Sequence, residues 1–226
     1  MTFDLDDTLW ETGPVIARAE KIANAWLAQH APELTGGRDE AEMLAHRRAH
    51  YATLPHLSHD FTALRRDWLR SLAVDAGYAH EVGDRAFDVF WRARNEVTLF
   101  PGAAALLPTL KSRYTLGTIT NGNADISHIG LSSLFDFSVT AADAGVMKPH
   151  GDIFALALSL ADTAAARTVH VGDDPVTDVQ GAKAAGMRAV WVNPEDVPWN
   201  AGLGPPPDAT IPDVSVLPEI LARWSD

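Results

Sequence analysis

Three carboxylates fall within four residues near the start of the chain, in Phe3-Asp4-Leu5-Asp6-Asp7-Thr8-Leu9-Trp10. They follow an apolar start, and they cannot simply prolong a buried strand, because unpaired buried charge is costly. In an extended chain the side chains of Asp4 and Asp6 leave on one face while that of Asp7 points elsewhere. Two like charges that close share either a proton or a cation, and a hard divalent ion such as Mg²⁺ prefers oxygen ligands. The plainer alternative is an acidic turn at a strand end, with Asp6 or Asp7 capping a helix. Three further polar clusters, each behind an apolar run, weigh against it: Thr118-Ile119-Thr120-Asn121-Gly122, Met147-Lys148-Pro149, and Val171-Gly172-Asp173-Asp174-Pro175-Val176-Thr177-Asp178. Alone, Thr120 would be an ordinary strand residue, Lys148 a solvated lysine, and Asp173, Asp174 or Asp178 a helix N-cap near Thr177. Four polar strand ends in one chain suggest one site.

The elements that must position them change character along the chain. A short strand over residues 1–5 is broken by Gly13 and Pro14, after which Val15, Ala19, Ile22 and Trp26 recur at helical spacing. Helical patterns follow over residues 38–54, 60–76 and 80–95, the second carrying Phe61, Leu64, Trp68 and Leu72 on one stripe. No strand pattern interrupts residues 11–98, so this segment reads as an all-helical unit of three or four helices. Leu99-Phe100-Pro101-Gly102 marks its exit, and two breakers together make a hinge. Beyond it, helices over 103–111, 125–131, 151–161 and 178–185 alternate with strands over 114–120, 137–140, 168–171 and 189–193. That rhythm predicts an α/β core, residues 1–10 and 99–226, with a mostly parallel sheet covered on both faces. Residues 199–207 read as an irregular loop and 214–224 as a last helix. Ligands of such sheets bind beyond the carboxyl ends of strands, which is where the polar clusters lie, apart from Lys148 in its loop.

Composition narrows the partners. The 226 residues carry a formal charge of −12, which argues against nucleic-acid binding. Residues 11–98 hold eleven Lys and Arg against thirteen Asp and Glu, and the remainder seven against seventeen. An anionic substrate therefore needs a metal and a lysine to offset the local field. No apolar run approaches the roughly eighteen residues of a membrane span, no charged-then-apolar leader precedes the motif, and the expected compartment is the cytoplasm. Without cysteine there is neither a disulfide framework nor a thiolate nucleophile. His46, His50, His56 and His59 do not make a metal-ligand spacing.

The ordered set FDLDDTL, ITNGN, MKP and VGDDPVTD resembles the four motifs of the haloacid dehalogenase superfamily, most members of which are Mg²⁺-dependent phosphatases, and the match spans almost the whole chain. The resemblance implies a doubly wound, Rossmann-like core, and the helical insertion is similar to the family's C1-type cap. It implies Asp4 as nucleophile, forming an aspartyl-phosphate, and Asp6 as general acid and base. It implies Thr120 and the backbone beside Asn121 as phosphoryl hydrogen-bond donors, and Lys148 as the charge that balances nucleophile and phosphoryl group. The implied metal ligands are the Asp4 side chain, the Asp6 backbone carbonyl and Asp173, with Asp178 orienting water or Lys148 behind them. Family members that are true dehalogenases lack an acid at the position of Asp6, since a departing halide needs no proton.

Finer likeness, in FDLDDTLW followed by PVIARAE, in TNGNA and in HVGDDPVTDVQGA, looks like bacterial phosphatases acting on flavin mononucleotide and on 5-amino-6-(5-phospho-D-ribitylamino)uracil. The expectation is a small phosphorylated metabolite as substrate, with the protein a monomer or homodimer and the helical unit a lid. Trp68, Trp91 and Tyr51 in that unit read first as core and second as a platform for a flat ring, and the Arg47-Arg48 and Arg65-Arg66 pairs as solvated helix surface. A phosphomutase or phosphotransferase using the same phosphoenzyme is the alternative activity, and a haloacid dehalogenase or a non-catalytic phosphometabolite-binding module are the others.

Overall fold

The computed structural model describes residues 1–224. The chain divides into two units, one formed by Met1–Glu11 with the stretch from Thr98 onward, the other by Thr12–Val97. Strand β1 (Thr2–Phe3) opens the first unit. The second is built from α1 (Thr12–His30), α2 (Glu40–Ala52), α3 (Phe61–Asp75) and α4 (His80–Arg94). Local chemistry sets their ends. Asp39 and Glu42 form a reciprocal capping box at the start of α2, and the Asp60 side chain accepts from the Ala63 amide at the start of α3, each satisfying amides that a helix N-terminus leaves open. Leu27, Leu34, Trp68, Leu69, Leu72 and Phe87 are buried together as the main core of this unit.

The first unit continues with α5 (Pro101–Lys111), β2 (Gly117–Thr120), α6 (Ile126–Ile129), β3 (Phe137–Thr140), α7 (Ala141–Ala144) and α8 (Gly151–Leu160). It ends with β4 (Val169–Gly172), α9 (Gly181–Ala184), β5 (Arg188–Val192), β6 (Ala209–Ile211) and α10 (Leu217–Arg223). The strands form one sheet in the order β3-β2-β1-β4-β5-β6, and every pairing is parallel. Parallel neighbours require crossovers, and here the winding runs outward from β1 through β2 to β3, then resumes on the other side of β1 with β4. This is a doubly wound sheet whose switch point lies between β1 and β4, where the strand ends open a crevice. Both β2 and β4 are buried along their whole length, as strands covered on two faces must be. Ile119, Val139, Ile153, Phe154, Val179 and Trp191 form the core against one face.

Several elements differ from the sequence expectation. The strand expected over 114–120 starts at Gly117. The helix expected over 178–185 is instead a π-helical turn, Pro175–Gln180, followed by the short α9. A sixth strand, β6, pairs with β5 just after the proline-rich loop; its three residues between Pro207-Asp208 and Pro212 are too few to show a period. No helix among the described residues is long and apolar enough to cross a membrane.

Gly83 in α4 allows the close approach of α3. A Cβ there would stand 2.5 Å from backbone atoms of Leu69 and Arg70. Helix propensity alone says Gly83→Ala stabilises by about 1 kcal/mol, whereas the backbone clash predicts a loss of about 1–3 kcal/mol. Urea denaturation followed by tryptophan fluorescence will show a lower midpoint for the variant.

Candidate active site

Asp4 is the first residue past β1, and its amide donates to the Val171 carbonyl at 2.8 Å, tying it to β4. Asn121, the first residue past β2, clasps the backbone of Lys148: its Oδ1 accepts from the Lys148 amide at 2.6 Å and its Nδ2 donates to the Lys148 carbonyl at 3.0 Å. Lys148 is thereby aimed into the switch point. Its Nζ donates to Asp4 Oδ1 and to Asp178 Oδ1, each at 2.6 Å, from a side chain only 2% exposed. Burial would lower the Lys148 pKa, but the Asp178 and Asp4 carboxylates outweigh it and hold it above its ordinary value. The ammonium stays charged.

Asp178 is the most heavily committed acid. Besides Lys148, its Oδ1 accepts from His170 Nε2 at 3.0 Å and its Oδ2 from the Asp174 amide at 3.0 Å. Burial works to raise its pKa, yet Lys148 and then His170 keep it below the usual carboxylate range. The π-helical turn makes this possible: the Val179 amide reaches back to the Asp174 carbonyl at 3.2 Å, and Asp174 Oδ1 caps the turn by accepting from the Val176 and Thr177 amides. Single π-turns of this kind recur at functional sites. Gly172 is required beside it, since a Cβ there would lie 2.3 Å from Asp178 Cγ.

Asp173 stands across the crevice. Its Oδ1 accepts from Thr8 Oγ1 at 2.9 Å, and its carbonyl accepts from Trp191 Nε1 at 2.7 Å. Carboxylate oxygens of Asp4, Asp173 and Asp178 lie within 4.8 Å of one another. Burial raises the Asp4 pKa well above its ordinary value, which Lys148 only partly offsets and Asp178 augments. Burial, followed by the Asp178 charge, pushes Asp173 up to about 6. Burial dominates both shifts, and the geometry adds that three carboxylates within 4.8 Å of one another share a single ammonium. The residues therefore fit a hard divalent cation, which favours an all-oxygen donor set. Asp178 already accepts from three donors, so the side chains of Asp4 and Asp173 have more oxygen valence to spare.

The other expected residues are placed as follows. Asp6 is not among the carboxylates whose oxygens gather within 4.8 Å of one another. The chain turns after Leu5, with the Asp7 amide donating to the Trp10 carbonyl at 2.9 Å, and Trp10 Nε1 donates to Asp6 Oδ1 at 2.9 Å. Thr120 is buried at the end of β2, and its Oγ1 accepts from the Gly122 amide at 2.9 Å, so its own proton is left to donate. In the helical unit Trp68 is core, donating to His46 Nδ1 at 3.0 Å. Arg47 and Arg65 are not solvated surface: they converge on Glu20 Oε1 at 2.5 and 2.7 Å. Sequence reasoning passed over Thr2, Thr8, Trp10, His170 and Trp191. Thr8 and Trp10 had a signal in their adjacency to the aspartates, whereas His170 showed only as a lone polar residue within a strand.

Residues 1–186 match the family described as haloacid dehalogenase-like hydrolase. The chain belongs to the haloacid dehalogenase-like hydrolases. It is 34% identical over 200 residues to the 5-amino-6-(5-phospho-D-ribitylamino)uracil phosphatase YigB of Escherichia coli (strain K12), covering 87% of this chain and 84% of that protein. Over 153 residues it is 33% identical to a phosphoserine phosphatase of Thermus thermophilus, covering 65% of this chain and 59% of that one. A crystal structure described as a 2-haloacid dehalogenase from Pseudomonas syringae pv. Tomato DC3000 superposes with a TM-score of 0.92 at 44% identity, over 99% of this chain and 97% of that one.

The raised Asp173 pKa has a sign that can be measured on this haloacid dehalogenase-like hydrolase. A carboxyl whose folded pKa lies above its unfolded value costs stability once both states are ionised, and the cost grows as pH rises between about 4 and about 6. Asp173→Asn keeps an oxygen for Thr8 and removes the charge. In chelator, the variant will unfold at a higher temperature than wild type at pH 7, by an amount on the order of 2 kcal/mol, and the gap will close below about pH 4. Added magnesium will stabilise wild type and leave the variant unmoved, by the mass-action argument that only the binding-competent fold gains.

Proposed function

We propose that the protein is a phosphomonoesterase acting on a small phosphorylated metabolite, with Asp4 as the nucleophile. The observation that carries this is the buried Asp4 carboxylate fixed by Lys148 at 2.6 Å, with Asp173 facing it across a crevice at the strand ends. The phosphatase names of its relatives support the reading.

In the first step an Asp4 oxygen attacks phosphorus and the bond from phosphorus to the substrate oxygen breaks, giving an aspartyl-phosphate. Asp6 delivers a proton to the departing oxygen, with Trp10 Nε1 holding its Oδ1 at 2.9 Å. In the second step Asp6 takes a proton from water, the water oxygen attacks phosphorus, and the bond to Asp4 breaks to release phosphate. Lys148 faces Asp4 throughout and offsets the charge that gathers on the phosphoryl oxygens, while the free Thr120 O–H and backbone amides beside Asn121 donate to them. Asp4, Asp173 and the Asp6 carbonyl would hold a magnesium ion, which when bound neutralises phosphoryl charge and aligns it for in-line attack. Flavin mononucleotide and the ribitylaminouracil phosphate are the first candidate substrates.

A dehalogenase is the second reading, favoured by the description of the 44% identical structure. Halide release needs no general acid, so Asp6 is superfluous to it. Incubation with 2-chloropropionate and assay of chloride separates the two: the phosphatase reading expects phosphate from a panel of phosphomonoesters and no chloride. A mutase would return an isomerised sugar phosphate without free phosphate.

Asp4→Asn will lower hydrolysis of p-nitrophenyl phosphate by at least about a thousandfold, and retention of full rate would remove the proposal. Asp6→Asn will release about one p-nitrophenol per enzyme in a burst and then stall, because a good leaving group needs no acid whereas the second step still needs a base. Chelator will abolish turnover of the wild type, and magnesium will restore it.

A further inference from the structure

His170 lies under the site without touching the crevice. The register of the sheet pairs it directly with Thr2 on the neighbouring strand, and both side chains are 1% exposed. Thr2 Oγ1 lies 2.9 Å from His170 Nδ1, and His170 Nε2 lies 3.0 Å from Asp178 Oδ1. The edge of the ring packs against Phe154, with centroids 5.4 Å apart at 88°, so the imidazole closes the seam between the apolar core and the acidic floor. A buried imidazole with both nitrogens bonded, one to a carboxylate that grips Lys148, is more than filler.

We propose that His170 is a positioning residue: as a neutral imidazole it donates Nε2–H to Asp178, and so holds Asp178 where it aims Lys148 at Asp4. Chemistry fixes the tautomer. An ionised carboxylate only accepts, so Nε2 carries the proton; Nδ1 is then a lone pair, and the Thr2 hydroxyl donates to it. The surroundings favour the neutral ring, since apolar Phe154 walls one side, the Lys148 ammonium already supplies a cation to Asp178, and among the described residues no other acid bonds the ring. Without the Nε2 donor, Asp178 keeps Lys148 and the Asp174 amide but is free to tilt about them. Lys148 would then share its protons differently between Asp178 and Asp4. The chain Thr2, His170, Asp178, Lys148, Asp4 thus links the first strand to the nucleophile by four hydrogen bonds, each between 2.6 and 3.0 Å.

The inference rests on the proposed phosphatase reading for its kinetic arm only. His170→Leu removes the donor, and His170→Gln places an amide N–H near the position of Nε2. The expected result is a kcat for p-nitrophenyl phosphate roughly tenfold or more below wild type for the Leu variant, with KM within about twofold, and recovery of most of that loss in the Gln variant at equal melting temperature. A Leu variant with wild-type kcat, or a Gln variant as slow as Leu, overturns the proposal. Should the Leu variant not fold, ¹⁵N imidazole spectra of the wild-type protein at pH 7 decide instead. A neutral ring protonated at Nε2 supports the proposal, and a ring protonated at Nδ1 alone, or at both nitrogens, refutes it. If the wild type hydrolyses no phosphomonoester at all, the phosphatase reading falls, and the spectra still judge the role of His170 toward Asp178.

Discussion

The structure depends on one ammonium group shared between two buried carboxylates. Lys148 reaches Asp4 and Asp178 at equal distance, and nearly every other feature of the crevice follows from making that contact affordable. A buried charge is tolerated only when paired and hydrogen-bonded. Asn121 therefore fixes the Lys148 backbone, His170 and the Asp174 amide complete the shell of Asp178, and Gly172 leaves room for its carboxylate. Removing either carboxylate would leave the buried cation a single ion-pair partner in a low-dielectric interior. The arrangement is costly for stability by itself, and such groups persist where their geometry serves a site.

The second constraint is topological. Residues from positions 4, 121, 148, 173 and 178 meet because β1 sits at the point where the winding reverses, so that strands far apart in sequence end side by side. A two-residue strand makes a poor scaffold alone; β1 is held on both sides, by β2 and by β4. The turn that follows brings Trp10 back onto the Asp6 carboxylate and Thr8 onto Asp173.

Much of this was legible in residue patterns, for physical reasons. An apolar run ending abruptly in carboxylates, or in Thr-Asn-Gly, marks a buried strand emerging at a polar edge, and β2 and β4 were found by that rule. The α/β alternation likewise follows from strands too apolar to face water. What stayed hidden was geometry that spacing does not encode. The three residues of β6 leave no period, and the π-turn at Pro175–Gln180 looks like ordinary helix until its hydrogen bonds are traced. Arg47 and Arg65 looked like solvated surface because their shared partner, Glu20, is on another helix. His170 was invisible because its meaning depends on a partner strand beginning at Thr2.

The similarity of this chain both to a protein named a phosphatase and to one described as a dehalogenase is less a contradiction than a statement about which atoms decide. Both reactions can open with displacement by a carboxylate, and a shared floor of Asp4 and Lys148 serves either. They diverge at the leaving group. An alkoxide is a strong base and departs readily only as it takes a proton, whereas chloride departs as the stable ion. The residue bearing on the difference is therefore Asp6, and what makes it more than an acidic neighbour is the indole N–H of Trp10, which holds one carboxyl oxygen. Under the proposed phosphatase reading that hydrogen bond orients the carboxyl for proton transfers that displacement of halide does not need. On this argument the distinction between the two chemistries lies in a hydrogen bond spanning four residues of a single turn, below the resolution of any overall superposition.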